Sequence, residues 1–258
     1  MRETSALYRR ILEEEHYFEN SLCIGKDGVL CDESGDVILF GDDAILVDSG
    51  TPEDGYGDSM LFSVEVDYSC LGSEPEVGKT VSAECSITMV QPVSDIPSRA
   101  RLALYFRARS RTEVSEWIPN GVFYVDRREL YKANGWNKLT LHGYDGMLFA
   151  ETDYPSSSGL DWPAKDSDVV QEISDYLGIP VDNRCWEILG AYSVPYLTGY
   201  SCREILGYIA ASYGGNWVIT PAGSLMLVTM WGLPIETSLL CDESGNVILF
   251  GEEDAIIV

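Results

Sequence analysis

The chain is poor in the residues that most often carry chemistry. It has two histidines, His16 and His142, in 258 residues. They lie far apart, with no ligand partners at metal spacing, so the commonest metal ligand and general base is nearly absent. His142 falls in an alternating strand pattern, where a packed or edge histidine is the ordinary occupant. The seven cysteines (Cys23, Cys31, Cys70, Cys85, Cys185, Cys202, Cys241) are odd in number, widely spaced and without a Cys-x-x-Cys pair. They suggest neither a disulfide framework nor a zinc site, and read as small core residues. Positive charge is scarce too: 17 basic residues face 42 acidic ones, a formal net charge of −25. Such a surface repels phosphate backbones and disfavours direct binding to nucleic acid or anionic membranes. No apolar run approaches the length of a membrane span, and the charged opening "MRETSALYRRILEEEHYFEN" lacks a signal-peptide core. The expectation is synthesis in the cytosol and no membrane insertion.

Motifs for nucleotide and nucleophilic chemistry are also missing. "EPEVGKT" has the ending of a phosphate-binding loop, but Ser73 stands where glycine is needed and Gly72 lies one residue too far. The residues that follow alternate as a strand, and Glu74 and Glu76 would repel phosphate. There is no Gly-x-Ser-x-Gly elbow, zinc-protease helix or dinucleotide fingerprint. A carboxylate pair for glycoside hydrolysis stays open simply because acidic residues abound, yet most fall in polar turns or on solvent faces of alternating strands. The acidic, glycine-rich stretch 48–60 holds Asp48, Asp54 and Asp58 without the order of a calcium loop, and reads as a solvated loop. Trp117, Trp136, Trp162, Trp186, Trp217 and Trp231 are scattered, and core positions are expected for most of them. The chain is therefore read as non-enzymatic, with no catalytic, cofactor-binding or metal residues and no cofactor.

What the chain does have is apolar surface: 45% of its residues are apolar and 11% aromatic, enough for one large or two ordinary domains. From Ser5, Leu7, Tyr8, Ile11 and Leu12 share one face of a short amphipathic helix. From Leu61 onward, "LFSVEVDYS", "TVSAECSITMV", "ARLALYFRARS", "VSEWIP", "GVFYVDRREL" and "KLTLHGYD" alternate with period two. Asn120 and Gly121 form the strongest hairpin signal, predicting a tight turn between "SEWIP" and "VFYVD". Beyond "ETDYPSSSGLDWPAKDSD", a helix near 166–178 has Val169, Val170, Ile173 and Leu177 on one face. Asp166 or Ser167 serves as its cap, and Gly178 with Pro180 as its stop. A second helix near 201–213 opens on Ser201 and Glu204 at capping-box spacing, turns Ile205, Leu206, Ile209 and Ala210 inward, and ends on Gly214 and Gly215. "NWVITPAGSLMLVTM" is a hairpin around Pro221 to Gly223.

The expected fold class is mixed α+β and β-rich. An antiparallel β-barrel or sandwich domain spans 1–150, with an acidic loop insert near 48–60. A smaller α/β region over 151–258 leads into an incomplete second barrel-like unit.

One sentence of the sequence is written twice. "CDESGDVILFGDDAILV" occupies residues 31–47, and "CDESGNVILFGEEDAIIV" occupies 241–258. Each copy reads as a small meander, with Gly35 supplying a turn in the first. Two readings stay open: a duplicated interface element, or two similar hairpins without an interface role. The apolar ending "AIIV" leads to the expectation that either the chain is truncated or a partner completes the sheet.

Three segments in order carry a family resemblance: "SEWIPNGVFYVDRREL", "LTLHGYDGMLFAE" and "YSCREILGYIAASYGGNWVITPAGSLMLV". Together they resemble the tail-hub, or baseplate-hub, structural proteins of long-tailed bacteriophages and prophages, over roughly residues 100 to 258, with a weaker echo in "ALYRRIL". The resemblance implies a homotrimeric ring in the virion tail, assembled in the bacterial cytoplasm. In that ring two related barrels per subunit present six similar faces to a tail-tube or distal tail protein. It also implies tape-measure or tail-fibre partners, a lumen through which DNA passes without specific binding, and no catalytic residues. Rival readings are a tail-associated cell-wall-degrading enzyme and a glycan-binding receptor module.

Overall fold

The structure is a computed structural model that describes residues 4–25, 39–40, 43–44, 51–71, 76–92, 96–133, 135–195, 199–230, 249–250 and 254–255. The chain opens with helix α1 (Ala6–Leu12), where the Ser5 hydroxyl accepts a hydrogen bond from the Tyr8 N–H at 3.0 Å and so satisfies one of the free donors of the first turn. Of its apolar face, Ile11 is buried, whereas Leu12 remains exposed.

Strand β1 (Tyr17–Gly25) follows, then two-residue strands β2 (Leu39–Phe40), β3 (Asp43–Ala44) and β4 (Tyr56–Gly57). The long strands β5 (Leu61–Asp67), β6 (Glu84–Val90), β7 (Arg101–Arg109), β8 (Ile118–Ala133) and β9 (Trp136–Asp145) come next. Seven of these form one antiparallel sheet in the order β4-β1-β7-β8-β9-β6-β5. Its two end strands, β4 and β5, are joined by residues 58–60 alone. A flat sheet of seven strands is about 29 Å wide at 4.8 Å per strand, and so short a link spans at most roughly 14 Å. The sheet must therefore curl, its inner face closing on Leu22, Ile87, Met89, Leu102, Leu104, Phe123 and Leu141, each essentially inaccessible to solvent. Each such side chain contributes about 1.5–3 kcal/mol on burial. The fold is β-rich α+β.

The expected turn at Asn120 and Gly121 is not a turn: β8 runs straight through it. Leu104 pairs with Gly121 and Tyr105 with Pro119, so Asn120 has no opposite residue and forms a β-bulge. Gly121 does adopt positive φ, at 129°, but what it accommodates is Tyr68, whose hydroxyl donates to the Asn120 carbonyl at 2.8 Å. The hairpin lies at the other Asn-Gly in the chain, residues 134 and 135. There Ala133 pairs with Trp136 across a two-residue link, and Gly135 has φ of 81°. The stretch read as a solvated acidic loop is tied down as well. Tyr56 and Gly57 pair with Leu22 and Ser21, the Ser21 hydroxyl donates to the Pro52 carbonyl at 2.6 Å, and Asp58 accepts from the Asn20 N–H at 3.1 Å.

After a 3-10 turn (Gly146–Glu151), the second core is built from β10 (Ala164–Lys165), α2 (Asp166–Leu177), a 3-10 turn (Asn183–Glu187), β11 (Ser193–Val194), α3 (Cys202–Ser212), β12 (Gly215–Ile219) and β13 (Leu225–Thr229). Neither Asp166 nor Ser167 caps α2. The cap position is Lys165, which makes no side-chain cap bond; the Asp166 carboxylate, one residue inside the helix, accepts from the Ser167 N–H at 2.9 Å, the Gly190 N–H at 2.8 Å and the Tyr213 hydroxyl. Gly178 ends the helix at φ of 66°. The capping box at α3 forms as expected, with Ser201 and Glu204 each accepting from the other's backbone N–H.

Hairpin β12–β13 is widened by parallel neighbours on both sides: Thr80 bridges Trp217, and Val181 bridges Leu225. The first of these neighbours comes from "VGKT". Its backbone exchanges bonds with β12 through Gly78 N–H to Gly215 O at 2.8 Å, Trp217 N–H to Lys79 O at 2.9 Å and Val81 N–H to Trp217 O at 2.8 Å. What the sequence offers as a failed phosphate loop is thus an edge strand. Among the described tryptophans, only Trp217 is fully buried, while Trp136 and Trp186 are exposed. Trp162 packs partly buried against the second core and Trp117 is half-buried, so the expectation of core positions fails at Trp136 and Trp186. Trp231, Cys31 and Cys241 lie outside the described residues.

Of the duplicated sentence, only the central pairs are described. Leu39 pairs with Ala44 and Phe40 with Asp43; Leu249 pairs with Ala255 and Phe250 with Asp254, the last two strands being β14 (Leu249–Phe250) and β15 (Asp254–Ala255). Equivalent residues pair in both copies despite one extra residue in the second connection. The outer part of each meander, with Gly35, falls outside the described residues.

A Cβ at Gly121 would stand 2.2 Å from the Tyr68 hydroxyl and 2.4 Å from the Phe123 ring, whereas one at Gly135 meets nothing within 4 Å. Gly121→Ala is expected to cost about 2–4 kcal/mol and Gly135→Ala about 1 kcal/mol, read from urea denaturation midpoints. Equal losses would show that the bulge does not depend on its glycine.

Candidate functional site

The strands β8, β9, β6 and β5 present an outer face on which cross-strand rows can be followed residue by residue. One row joins Ser63, Thr88, Thr140 and Glu129, a second Glu65, Ser86, His142 and Arg127, and a third Asp67, Glu84, Tyr144 and Tyr124. In the middle of the face the Thr88 and Thr140 hydroxyls lie 3.0 Å apart and Arg127 reaches Glu129 at 3.1 Å, while the His142 Nε2 lies 3.7 Å from Glu129, beyond hydrogen-bond range. His142 is thus half-buried near a carboxylate on a sheet surface.

The two ends of this face differ. At the hairpin end, Phe62, Tyr131 and Trp136 are 48%, 45% and 57% exposed, and the Lys138 ammonium sits 3.9 Å from the Phe62 ring centroid. At the other end Asp67 and Glu84 are directly opposed across the ladder, and like charges placed so repel. With Glu65 they line a polar trough of about 480 Å³ that also touches Arg127 and His142. None of these three carboxylates has an ion pair among the described residues.

Strand β8 also outruns its neighbour. It pairs with β7 only as far as Tyr124, opposite Arg101, yet with β9 as far as Ala133. Residues 127–133 therefore form an arm with one ladder edge, and Leu130, on the inner face beside buried Leu139, is 64% exposed. The sequence hides these features because alternation does not reveal where a neighbouring strand stops. The usable signal was the second Asn-Gly, which fixes the arm's turn.

The remaining polar clusters are structural. Glu19 lies between Arg107 at 2.7 Å and Arg109 at 2.6 Å, and Arg107 stacks 4.2 Å from the centre of Trp117. The hydroxyl of Tyr154 donates to Glu172, and the Ser158 hydroxyl donates to the same carboxylate at 2.8 Å. Burial and that carboxylate together push the Tyr154 hydroxyl well above its ordinary range. Asp145 is nearly inaccessible and accepts from the Ala83 N–H at 2.8 Å and the Met147 N–H at 3.0 Å, closing the end of β9 onto the first 3-10 turn. No group of three or more potential metal ligands converges among the described residues.

No protein-family model matches the sequence, and no curated protein matches it. Among solved structures, the chain is similar to the tail protein from Neisseria meningitidis MC58, at 12% identity and a TM-score of 0.48, over 84% of this chain and 53% of that one. It is similar also to the 43 kDa tail protein of prophage MuSo2 from Shewanella oneidensis, at 12% identity and a TM-score of 0.48, over 83% of this chain and 56% of that one. The chain spans about half the length of these tail proteins.

Burial pushes the Asp145 carboxyl up to about 6 from an ordinary 3.8, against the opposing pull of its two backbone donors and Arg203. The folded state then holds this proton more tightly than the unfolded chain, so its contribution to stability falls as pH rises from about 4 through 6. Asp182 has the opposite sign. Hydrogen bonds from Arg184 hold it below the usual range, and its contribution is lost as acid protonates it. The melting temperature is expected to peak at about pH 4, where the two windows meet, and to fall on both sides. Asp145→Asn should flatten the alkaline limb while lowering overall stability by about 1–3 kcal/mol, since one of its two N–H donors loses an acceptor.

Proposed function

We propose that this chain is a non-enzymatic structural component of a bacteriophage tail tip or baseplate hub, a homotrimeric ring that adapts the tail tube to the tip complex. The observation that carries the reading is the ordered wording of three sequence segments, which fall in chain order on β8, on β9 with its 3-10 turn, and on α3 with hairpin β12–β13. Each segment is ordinary strand, cap and turn chemistry, but their succession across more than a hundred residues is a far more demanding match.

Two physical features support it. A three-fold ring that caps a six-fold tube needs two versions of one interface element per subunit. The paired hairpins at Leu39–Ala44 and Leu249–Ala255 supply a repeated unit with the same strand pairing. A lumen that passes duplex DNA must not hold it, and a formal charge of −25 removes the electrostatic attraction on which nonspecific DNA binding rests. The partners on this reading are a distal tail or tail-tube protein on one side and a tape-measure or fibre protein on the other.

Gold-labelled antibody against the chain should decorate the tip of intact tails in electron micrographs. Label confined to heads or absent from virions would overturn the reading, and clearing of cell walls in a zymogram by the purified chain would replace it with the enzymatic one. In filter binding at about 150 mM salt, no retention of duplex DNA is expected.

A further inference from the structure

We propose that the outer face of β8-β9-β6-β5 is a head-to-tail interface between copies of this chain, the aromatic and cationic hairpin end of one copy seating on the acidic trough of the next. The inference sharpens the ring reading above and rests on it only for the number of copies.

The argument begins with an unmet charge. Asp67 and Glu84 face one another across the β5–β6 ladder, each exposed, an arrangement that is unfavourable unless a cation lies between. Glu65 adds a third carboxylate two residues along the same face. Among the described residues that cation is not supplied: Arg127 is committed to Glu129 at 3.1 Å and Arg99 to Asp126 at 3.2 Å. The trough the three carboxylates line is polar and about 480 Å³ in volume, roomy enough for a long side chain with its shell.

The complementary group stands at the far end of the same face. Lys138 lies six residues up β9 from Tyr144, about 20 Å away along the strand. It touches only the Phe62 ring at 3.9 Å and has no carboxylate partner among the described residues. Around it, Tyr131 sits directly opposite on β8 and Trp136 one outward-facing position further, large exposed rings of the type that anchor protein interfaces. Residues 126–138 hold four of the 17 basic residues against two acidic ones, in a chain otherwise strongly acidic. The surface best matched to this end by charge is thus another copy of the same protein.

Because the two ends are different, the contact is heterologous. Each copy uses its hairpin end once and its trough once, and the series closes into a ring when the rotation per copy divides a full turn.

The test is light scattering coupled to size exclusion on the full chain, over a dilution series and at low and high salt. The wild type is expected to self-associate, less so at high salt. Lys138→Glu alone, and Asp67→Lys with Glu84→Lys, should each weaken association at least about tenfold, with unchanged circular dichroism. The chain carrying all three changes should recover much of it, since the charges of the residue 138 contact with residues 67 and 84 are then exchanged. Trp136→Ala should weaken association at either salt concentration. A wild type that is monomeric throughout, charge reversals that leave the mass unchanged, or a triple variant that fails to recover would each overturn the inference. Tail tips that label with a monomeric wild type count against this interface and not the hub, whereas self-association without tail labelling counts against the hub alone.

Discussion

The bond set around Asn216 holds the two halves of the molecule in one register. Its side-chain amide is buried, donates to the Cys70 carbonyl at 2.9 Å and the Glu76 carbonyl at 2.8 Å, and accepts from the Lys79 N–H at 2.9 Å. Every polar group of that amide is thereby satisfied, which is the condition for burying it without penalty. The segment it grips belongs by sequence to the connection between β5 and β6, yet its backbone is the parallel neighbour of β12. The curled sheet therefore enters the second core through residues 78–81 and leaves it again through Asp145, whose carboxylate ties the Ala83 N–H to the start of the next element.

Close packing at this junction leaves little choice of residue. Gly78 and Gly207 meet so closely that a Cβ on either would come within 2.8 Å of the other segment, and α3 lies directly on the incoming strand as a result. Arg203 on α3 completes the joint by donating to Ser82 at 3.0 Å and to the Met147 carbonyl at 3.1 Å. With the cores so joined, the face of β8-β9-β6-β5 is held on a rigid base, and its unequal ends keep a fixed separation. A surface meant to meet another protein in one orientation needs that fixity, because ordering a loose surface on binding costs conformational entropy.

Much of the element inventory was legible in the sequence because period and punctuation act locally. Alternation placed β5, β6, β7 and β9, and the Ser201 and Glu204 box placed α3, since a cap is a bond between near neighbours. The errors arose where one local signal has two tertiary outcomes. Asn-Gly supplies positive φ, which serves a tight turn or a bulge equally well. At 120 and 121 the strand continued, because β7 and Tyr68 were there to receive it. At α2 the short acidic side chain falls one residue inside the helix, where it serves the Ser167 N–H together with Gly190 and Tyr213.

The sequence by itself determined the β-rich α+β class, the scarcity of catalytic groups, the acidic balance and the doubled hairpin, because these depend on composition and on residues a few positions apart. Tertiary structure alone decided which strand ends were left without a neighbour, that "VGKT" would serve as a strand of the second sheet, and that Asp67 and Glu84 would face one another. Those outcomes depend on residues as many as 146 positions apart, as with Asn216 and Cys70. Only the register of the folded chain brings such residues together.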